Sequence, residues 1–262
     1  MESVLEARAV SRFYPLPRRS LFGGRERLQA VQNVSLQVHA GEVLGIVGES
    51  GSGKSTLARM LMALEPTDTG EIRWLGQNMS TLNQPQIAPY RRHIQMVFQD
   101  PFGSLDPRMR ILDSVAEPLD VAAPQLDQDA RRARVLSILE RVGLGEDSLT
   151  RYPHQFSGGQ RQRIAIARAL ALNPKLLVAD EAVSALDVSI QAQILNLLVD
   201  LRAEFGLSLV FISHDLGIVR YLADRVVVMK NGVVVEEGAT QTVFETPQHD
   251  YTRRLLHAML KL

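Results

Sequence analysis

Short apolar runs alternate along the chain with longer segments in which apolar residues recur at helical spacing. The runs at 42–48, 175–180, 207–213 and 225–230 are almost uninterrupted, which is typical of strands buried on both faces. The segment 191–206 carries apolar residues at helical spacing and predicts a helix. Strands that alternate with helices predict an α/β fold built on a mostly parallel sheet.

The pattern changes near the N-terminus and in the middle of the chain. Apolar runs at 4–10 and 34–38 flank a stretch rich in Pro, Gly and Arg at 15–27, which predicts two strands joined by an exposed loop. From about residue 91 to about residue 173 the pattern is mainly helical. We therefore expect a helical insertion that interrupts the parallel sheet.

Composition narrows the possible functions. The 29 basic and 29 acidic side chains cancel, so no global field attracts nucleic acid or an acidic membrane, and any site for a polyanion must be local. The absence of cysteine excludes disulfides, thiolate metal sites and cysteine nucleophiles, and it fits a reducing compartment. Without a long apolar run or a leader-like N-terminus, we expect a soluble, unsecreted chain that reaches membranes only through partners.

The stretch GESGSGKS follows an apolar strand and precedes an amphipathic helix, which is the setting of a phosphate-binding loop. Glycines let several backbone N–H groups point at one anion, and the helix dipole adds positive potential there. Lys54 is expected to reach the β- and γ-phosphates, and Ser55 to offer a hydroxyl to Mg²⁺. The alternative is a flexible Gly/Ser turn, which the strand and helix on either side disfavour. The predicted ATP-binding residues are Gly48, Glu49, Ser50, Gly51, Ser52, Gly53, Lys54, Ser55 and Thr56.

Two more strand ends carry candidate catalytic groups. Asp180 and Glu181 end the run LLVADE, where an aspartate can orient Mg²⁺ and a glutamate can accept a proton from attacking water. The alternative is that both carboxylates only favour the start of a helix. His214 ends the next strand, LVFIS, and we expect it to contact the γ-phosphate or the water, although a lone histidine is more often structural.

The phosphate loop, FSGGQ, LLVADE and ISHD, in this order and spacing, resemble the ATP-binding cassette (ABC) ATPases across essentially the whole chain. In that family the N–H groups of the signature FSGGQ cap the γ-phosphate held by the phosphate loop of a second, facing subunit. The resemblance therefore implies that Ser157, Gly158, Gly159 and Gln160 contact ATP in trans. A helix N-terminus with two glycines suits this task, because the backbone must approach an anion closely.

Other roles carry over from the same resemblance. Gln99 matches the glutamine that touches Mg²⁺ and the γ-phosphate, and Asp187 matches the loop at the subunit interface. Tyr14 falls where the family stacks an aromatic ring on adenine, but the neighbouring Phe13 leaves that assignment open. The chain departs from the common pattern at Phe156, where leucine is commoner, and at Ala182, where many members have proline.

The resemblance also implies the architecture. We expect a P-loop NTPase core of RecA-like type, with a mostly parallel sheet, an N-terminal antiparallel β subdomain and an inserted α-helical subdomain. The expected divisions are the first part of the core with the β subdomain (1–91), the helical subdomain (92–166), the second part of the core (167–240) and a C-terminal helical segment (241–262).

Longer stretches, among them QMVFQDPFGSLDPRM and PQHDYTRRLL, look like the ATPases of oligopeptide, dipeptide and nickel importers. This subfamily implies a second cassette ATPase, either different or identical, two transmembrane permeases and an extracytoplasmic solute-binding protein. It places the chain at the cytoplasmic face of the inner membrane as a peripheral subunit without nucleic-acid partners. We expect the chain to hydrolyse ATP and energise the uptake of di- or oligopeptides through the permeases, and nickel, a metal chelate or another small solute is the alternative cargo. An exporter cassette and a soluble ABC ATPase acting on nucleic acid or ribosomes are the rivals.

Overall fold

The computed structural model describes residues 2–16 and 27–259, apart from the side chains of residues 101, 102 and 259. Most of the loop predicted at 15–27 lies outside these residues. The chain divides into two compact units, the first comprising Met1–Asn83 with Val210–Leu262 and the second comprising Gln84–Leu209. The four divisions predicted from the sequence follow function rather than compactness and stay a prediction.

The elements follow one another in a mixed α/β order. The strands are β1 (Ser3–Pro15), β2 (Arg27–His39), β3 (Val43–Val47), β4 (Thr69–Trp74), β5 (Gln77–Asn78), β6 (Ile94–Val97), β7 (Leu176–Asp180), β8 (Ser208–Ser213), β9 (Arg225–Lys230) and β10 (Val233–Ala239). The helices are α1 (Lys54–Leu61), α2 (Gln84–Ile87), α3 (Pro101–Ser104), α4 (Ile111–Ala122), α5 (Gln128–Arg141), α6 (Gly158–Leu170), α7 (Val188–Phe205), α8 (Leu216–Leu222), α9 (Thr240–Glu245) and α10 (Asp250–Met259). Short 3-10 turns occupy Ala88–His93, Glu146–Thr150 and Pro153–Gln155.

The first unit contains an antiparallel sheet with the strand order β2-β1-β4-β5. Leu5 of β1 lies opposite Val38 of β2 on one side and Trp74 of β4 on the other, and all three side chains are buried. The indole of Trp74 donates to the Leu61 carbonyl at 2.8 Å, which ties this sheet to the end of α1. An antiparallel β subdomain at the N-terminus was predicted, but β1 and β2 extend well beyond the apolar runs at 4–10 and 34–38.

The first unit also contains β10, β9, β3 and the last residues of β8, in the strand order β10-β9-β3-β8. Strands β3 and β9 are parallel and β10 is antiparallel to β9. All five residues of β3 are buried. A side chain at Gly45 would lie 2.4 Å from Val219 Cγ1, so glycine is required for the close packing of α8 on β3.

The second unit contains the first residues of β8 together with β7 and β6, in the order β8-β7-β6. Strands β6 and β7 pair in parallel, and every residue of β7 is buried, as its apolar sequence predicts. Helices α4, α5 and α6 pack on one another in this unit and match the predicted helical stretch. Among the residues described, we find no helix with the length and apolar character needed to span a bilayer.

Candidate functional site

The phosphate loop, residues 48–56, joins the buried strand β3 to α1 in the first unit. Its backbone needs glycine at two positions, where it lies against the backbone carbonyls of neighbouring strands. Gly48 has φ +154°, and a Cβ there would lie 2.3 Å from the Met229 carbonyl oxygen. Gly53 has φ +102°, and a Cβ there would lie 2.3 Å from the Ala30 carbonyl oxygen. The loop is therefore held against β9 and β2 in a curled shape that other residues would not permit.

Lys54 is buried at the first position of α1, with 5% of its surface exposed. Its Nζ donates to the carbonyl oxygens of Gly48 at 2.7 Å and Glu49 at 2.9 Å, so the ammonium group lies inside the curl of the loop. Glu49, Ser50 and Gly51 are exposed at the rim. Buried cations need oxygen partners, and a triphosphate would supply stronger ones than two carbonyls do.

Ser52 provides an independent sign of a ligand. Its side chain is buried, yet its Oγ has no hydrogen-bond partner in the described part of the chain. Ser55 and Thr56 lie half-buried in the first turn of α1, at the positive end of the helix dipole. The loop therefore combines the Ser52 hydroxyl, which has no partner among the described residues, with an ammonium group and a helix N-terminus, and this combination fits a phosphate chain.

Two other predicted residues lie in the first unit. His214 is exposed in the turn between β8 and α8, beside Asp215, whose carboxylate caps α8 by accepting from Gly217 N at 2.8 Å. The Tyr14 hydroxyl bonds the carboxylate of Glu65, and the Arg12 guanidinium lies 5.0 Å from the Tyr14 ring centroid. Tyr14 is thus a half-buried aromatic at the end of β1, and adenine stacking there stays a prediction.

The second unit brings the predicted general base and the glutamine together. Gln99 Nε2 donates to Glu181 Oε2 at 3.0 Å, although 82 residues separate the two in sequence. Asp180 is buried at the end of β7, and Glu181 adopts a left-handed φ of +47° at the turn that follows. Ser184 Oγ donates to the Glu181 carbonyl at 3.0 Å and closes that turn. An unusual backbone angle in a non-glycine residue beside a strand end is typical of functional sites.

The signature residues form the N-terminus of α6. Ser157 is the N-cap: its Oγ accepts from Gln160 N at 3.3 Å, and Gln160 Oε1 accepts from Ser157 N at 3.0 Å. This capping box assigns the side chains of Ser157 and Gln160 a local role. For the N–H groups of Gly158 and Gly159 there is no acceptor within the described residues, so these two donors are suited to an anion.

The two glycines of the signature differ in what surrounds them. A Cβ at Gly159 would lie 2.5 Å from Ile190 Cγ2 of α7, whereas a Cβ at Gly158 would lie 3.5 Å from Leu186 Cδ2, an ordinary contact. Gly159 is therefore needed for the packing of α6 against α7. The same contacts place the signature beside the loop of residues 184–187.

Asp187 is exposed at the start of α7, and its side chain makes no capping bond there. The loop before it is held instead by Gln191, whose Nε2 donates to the carbonyls of Val183 at 3.1 Å and Leu186 at 3.0 Å. Sequence reasoning missed Gln191 and the packing role of Gly159, since both depend on how α7 meets the preceding loop. The capping box was detectable, because Ser157 and Gln160 have its S-x-x-Q spacing.

Comparison with known proteins gives the class to which this site belongs. The family model described as "ABC transporter" matches residues 31–184, more than half of the 262-residue chain. The chain therefore belongs to the ABC transporter family. This result confirms the family, the α/β P-loop fold and the ATPase class that the motifs predicted.

Particular relatives are similar over almost the whole chain. It is 52% identical over 258 residues, or 98% of its length, to the glutathione import ATP-binding protein GsiA of Escherichia coli strain K12. The GsiA protein of Salmonella typhi is 52% identical over 260 residues. In both cases the chain spans 41% of the relative's length.

Solved structures agree with the fold. A dimeric post-hydrolysis state of the ATP-binding cassette MJ0796 bound to ADP and Pi superimposes with a TM-score of 0.80 at 33% identity. A second dimeric structure of MJ0796, described as a bacterial ABC transporter cassette, gives 0.79 at the same identity. Each comparison covers 90% of this chain and 98% of the other.

Proposed function

We propose that this chain is the ATP-hydrolysing subunit of an ABC importer and that it energises the uptake of di- or oligopeptides through partner permeases. The observation that carries the cargo class is the 52% identity, over 98% of the chain, to a glutathione import ATP-binding protein, since glutathione is a tripeptide. A nickel or metal-chelate importer is the alternative that the cargo experiment below tests.

The proposed roles follow from the contacts at each group. Lys54, whose ammonium group already lies between two carbonyl oxygens, would bind the β- and γ-phosphates, and Ser52 would gain a partner for its buried hydroxyl. Glu181 would accept the proton of the attacking water, with Gln99 fixing the carboxylate through the bond to Oε2. His214 is proposed to contact the γ-phosphate or the water.

Mg²⁺ would supply positive charge that offsets the charge developing on the phosphates. Its proposed protein ligands are Ser55, Gln99 and Asp180. The described residues contain no cluster of three or more His, Cys, Asp or Glu side chains able to hold a metal. A donor set with one carboxylate nevertheless fits Mg²⁺, which in nucleotide sites is bound by one or two carboxylates together with substrate phosphates and water.

The partners are proposed from the same family. The exposed Asp187 and the N–H groups of Gly158 and Gly159 would face a second cassette, consistent with the dimeric structures of MJ0796. Whether that cassette is a different chain or a second copy, two permeases and an extracytoplasmic binding protein would complete the transporter. The chain would then act at the cytoplasmic face of the inner membrane.

Nucleotide binding is tested by Lys54→Ala, with Lys175→Ala as the control because Lys175 is an exposed lysine. We expect Lys54→Ala to abolish tight MgATP binding in a titration and Lys175→Ala to leave it unchanged. Equal affinity of the Lys54 variant and the parent would refute the phosphate site.

The general base is tested by Glu181→Gln, which keeps the side-chain shape but cannot accept the water's proton. Loss of a general base lowers turnover by about 10²- to 10⁴-fold. The matched control is Glu204→Gln, since Glu204 is exposed and pairs with Arg141 at the surface. Unchanged turnover of the Glu181 variant in the assembled transporter would rule out this assignment.

The cargo is tested by co-purifying the solute-binding protein with the transporter and titrating it with glutathione, a dipeptide and a nickel chelate. Binding of a peptide supports the proposal. Binding of the nickel chelate alone would replace peptide import with metal import, while the ATPase assignment would stand on its own tests.

A further inference from the structure

The C-terminal helix reaches the phosphate loop within the first unit. Tyr251, the second residue of α10, has 4% of its surface exposed. Its hydroxyl oxygen accepts a hydrogen bond from the Glu49 backbone N–H at 3.2 Å, across 202 positions of sequence. The PQHDYT segment thus has a direct contact with the loop, which the roles proposed above do not use.

This bond acts on the part of the loop that orients the lysine. Glu49 donates its N–H to Tyr251 and offers its carbonyl to Lys54 Nζ at 2.9 Å. The carbonyl of Gly48, in the same peptide unit as the Glu49 N–H, accepts from the same ammonium group at 2.7 Å. A shift of the peptide between Gly48 and Glu49 would therefore move an oxygen that holds Lys54.

Tyr251 is itself held on several sides. Lys230 Nζ, at the end of β9, lies 4.8 Å from the ring centroid, a cation–π distance. The N–H of Tyr251 donates to His249 Nδ1 at 3.1 Å. The carboxylate of Glu236 accepts from the N–H groups of Gln248 at 2.7 Å and His249 at 3.1 Å, and fastens the start of the segment to β10.

The hydroxyl is also suited chemically to this position. Burial raises the pKa of Tyr251 above its ordinary value, so the hydroxyl stays neutral at physiological pH. A neutral oxygen can accept the Glu49 N–H without placing a negative charge near a bound phosphate. A carboxylate in the same place would repel the nucleotide.

We propose that Tyr251 is a positioning residue of the nucleotide site, which holds the peptide between Gly48 and Glu49 so that Lys54 faces the phosphates. The proposal rests on the proposed function of the phosphate loop. It makes the C-terminal segment a part of the ATPase site that acts through the loop, without contact with the nucleotide.

The test compares Tyr251→Phe with the parent in the full chain. The variant keeps the ring against Lys230 and removes only the oxygen that accepts the Glu49 N–H. A neutral hydrogen bond corresponds to about a 2- to 10-fold change in affinity, so we expect the Kd for ATP to rise by that factor. Tyr221→Phe is the control, because Tyr221 is exposed on α8 of the same unit.

A second measurement separates positioning from packing. Hydrogen exchange of the Glu49 amide, followed without nucleotide, is expected to be faster in Tyr251→Phe than in the parent and unchanged in Tyr221→Phe. The melting temperature without nucleotide is expected to stay close to that of the parent. Weaker binding with faster exchange at Glu49 supports the proposal, and equal affinity of Tyr251→Phe and parent overturns it.

Two further variants distinguish failure of the nucleotide site from failure of the role proposed for Tyr251. If Tyr251→Ala binds ATP weakly while Tyr251→Phe binds normally, the ring acts by packing alone and positioning through the hydroxyl is refuted. If Lys54→Ala binds ATP as tightly as the parent, the nucleotide site itself is refuted. If Lys54→Ala loses binding while Tyr251→Phe matches the parent, the site stands and only the role of Tyr251 fails.

Discussion

The two glycines at the start of α6 give a sharp comparison, because they are adjacent, helical and differently surrounded. Replacing either with alanine favours the helix by about 0.5–1 kcal/mol, since alanine loses less backbone entropy. At Gly158 the new Cβ would meet Leu186 Cδ2 at 3.5 Å, which is ordinary contact. At Gly159 it would meet Ile190 Cγ2 at 2.5 Å, which no real contact allows.

Ile190 cannot give way cheaply, because a β-branched side chain in a helix has one strongly preferred χ1 rotamer. Overpacking of this kind costs about 1–3 kcal/mol. The helix-forming gain is common to both variants and cancels in the comparison. We therefore expect Gly159→Ala to be less stable than Gly158→Ala by about 1–3 kcal/mol.

The assay is urea unfolding of both variants under identical conditions. With a slope of about 3 kcal/mol per M, the expected difference separates the midpoints by about 0.3–1 M, with the slope itself unchanged. Adding Ile190→Ala should rescue Gly159→Ala and give a coupling energy in a double-mutant cycle. Equal midpoints for the two alanine variants, or no rescue by Ile190→Ala, would refute the packing argument.

Three further predictions concern stability, two in the second unit and one in the first. The amide of the fully buried Gln162 has no hydrogen-bond partner within the described residues. In urea unfolding, Gln162→Met should therefore leave the free energy of unfolding unchanged or raise it by up to about 1–3 kcal/mol. A clear decrease would contradict the absence of a partner. Ser157→Ala should cost about 0.5–2 kcal/mol through loss of the cap while Ser157→Asp keeps it, and equal stability of the two would contradict the capping role. Burial opposes ionisation of Glu236, but hydrogen bonds including those from Gln248 and His249 lower its pKa below the ordinary value of 4.5. The ionised carboxylate therefore stabilises the fold above pH 4.5, and this stabilisation is lost as the pH falls through the lowered pKa. The stability gap between parent and Glu236→Gln should therefore shrink in acid, and a constant gap would be the contrary result.

The sequence predicted the elements in which short-range chemistry decides the structure. Strand β3 is an apolar run followed by the glycine-rich stretch GESGSGKS, which leads to Lys54. Strand β7 is an uninterrupted apolar run that ends at Asp180. The helical insertion has clear periodicity, and α4, α5 and α6 lie where it placed them. Each of these signals lies within a few residues of the feature that it predicts.

The features that were missed depend on partners distant in sequence. Strands β1 and β2 continue past their apolar runs because their pairing runs from Ser3 opposite His39 to Pro15 opposite Arg27, with several register shifts between. Tyr251 contacts Glu49 across 202 positions, and nothing near Tyr251 in the chain points to the loop. The residues next to Gly159 in sequence predict a ligand-binding glycine. Its packing against Ile190 depends instead on how α6 and α7 contact each other in the fold.

The capping box at Ser157 and Gln160 has a practical consequence for experiments on the signature. Both polar side chains are engaged with the helix start, while the donors without an acceptor in the described chain are the main-chain N–H groups of Gly158 and Gly159. Every side-chain replacement keeps the backbone N–H except proline, which removes the N–H but also adds a ring. Replacing the amide by an ester at position 158 or 159, through semisynthesis, would delete one donor at a time while every side chain stays in place. Anion binding by these two N–H groups can therefore be tested by chemical changes to the backbone, whereas ordinary mutagenesis changes the side chains.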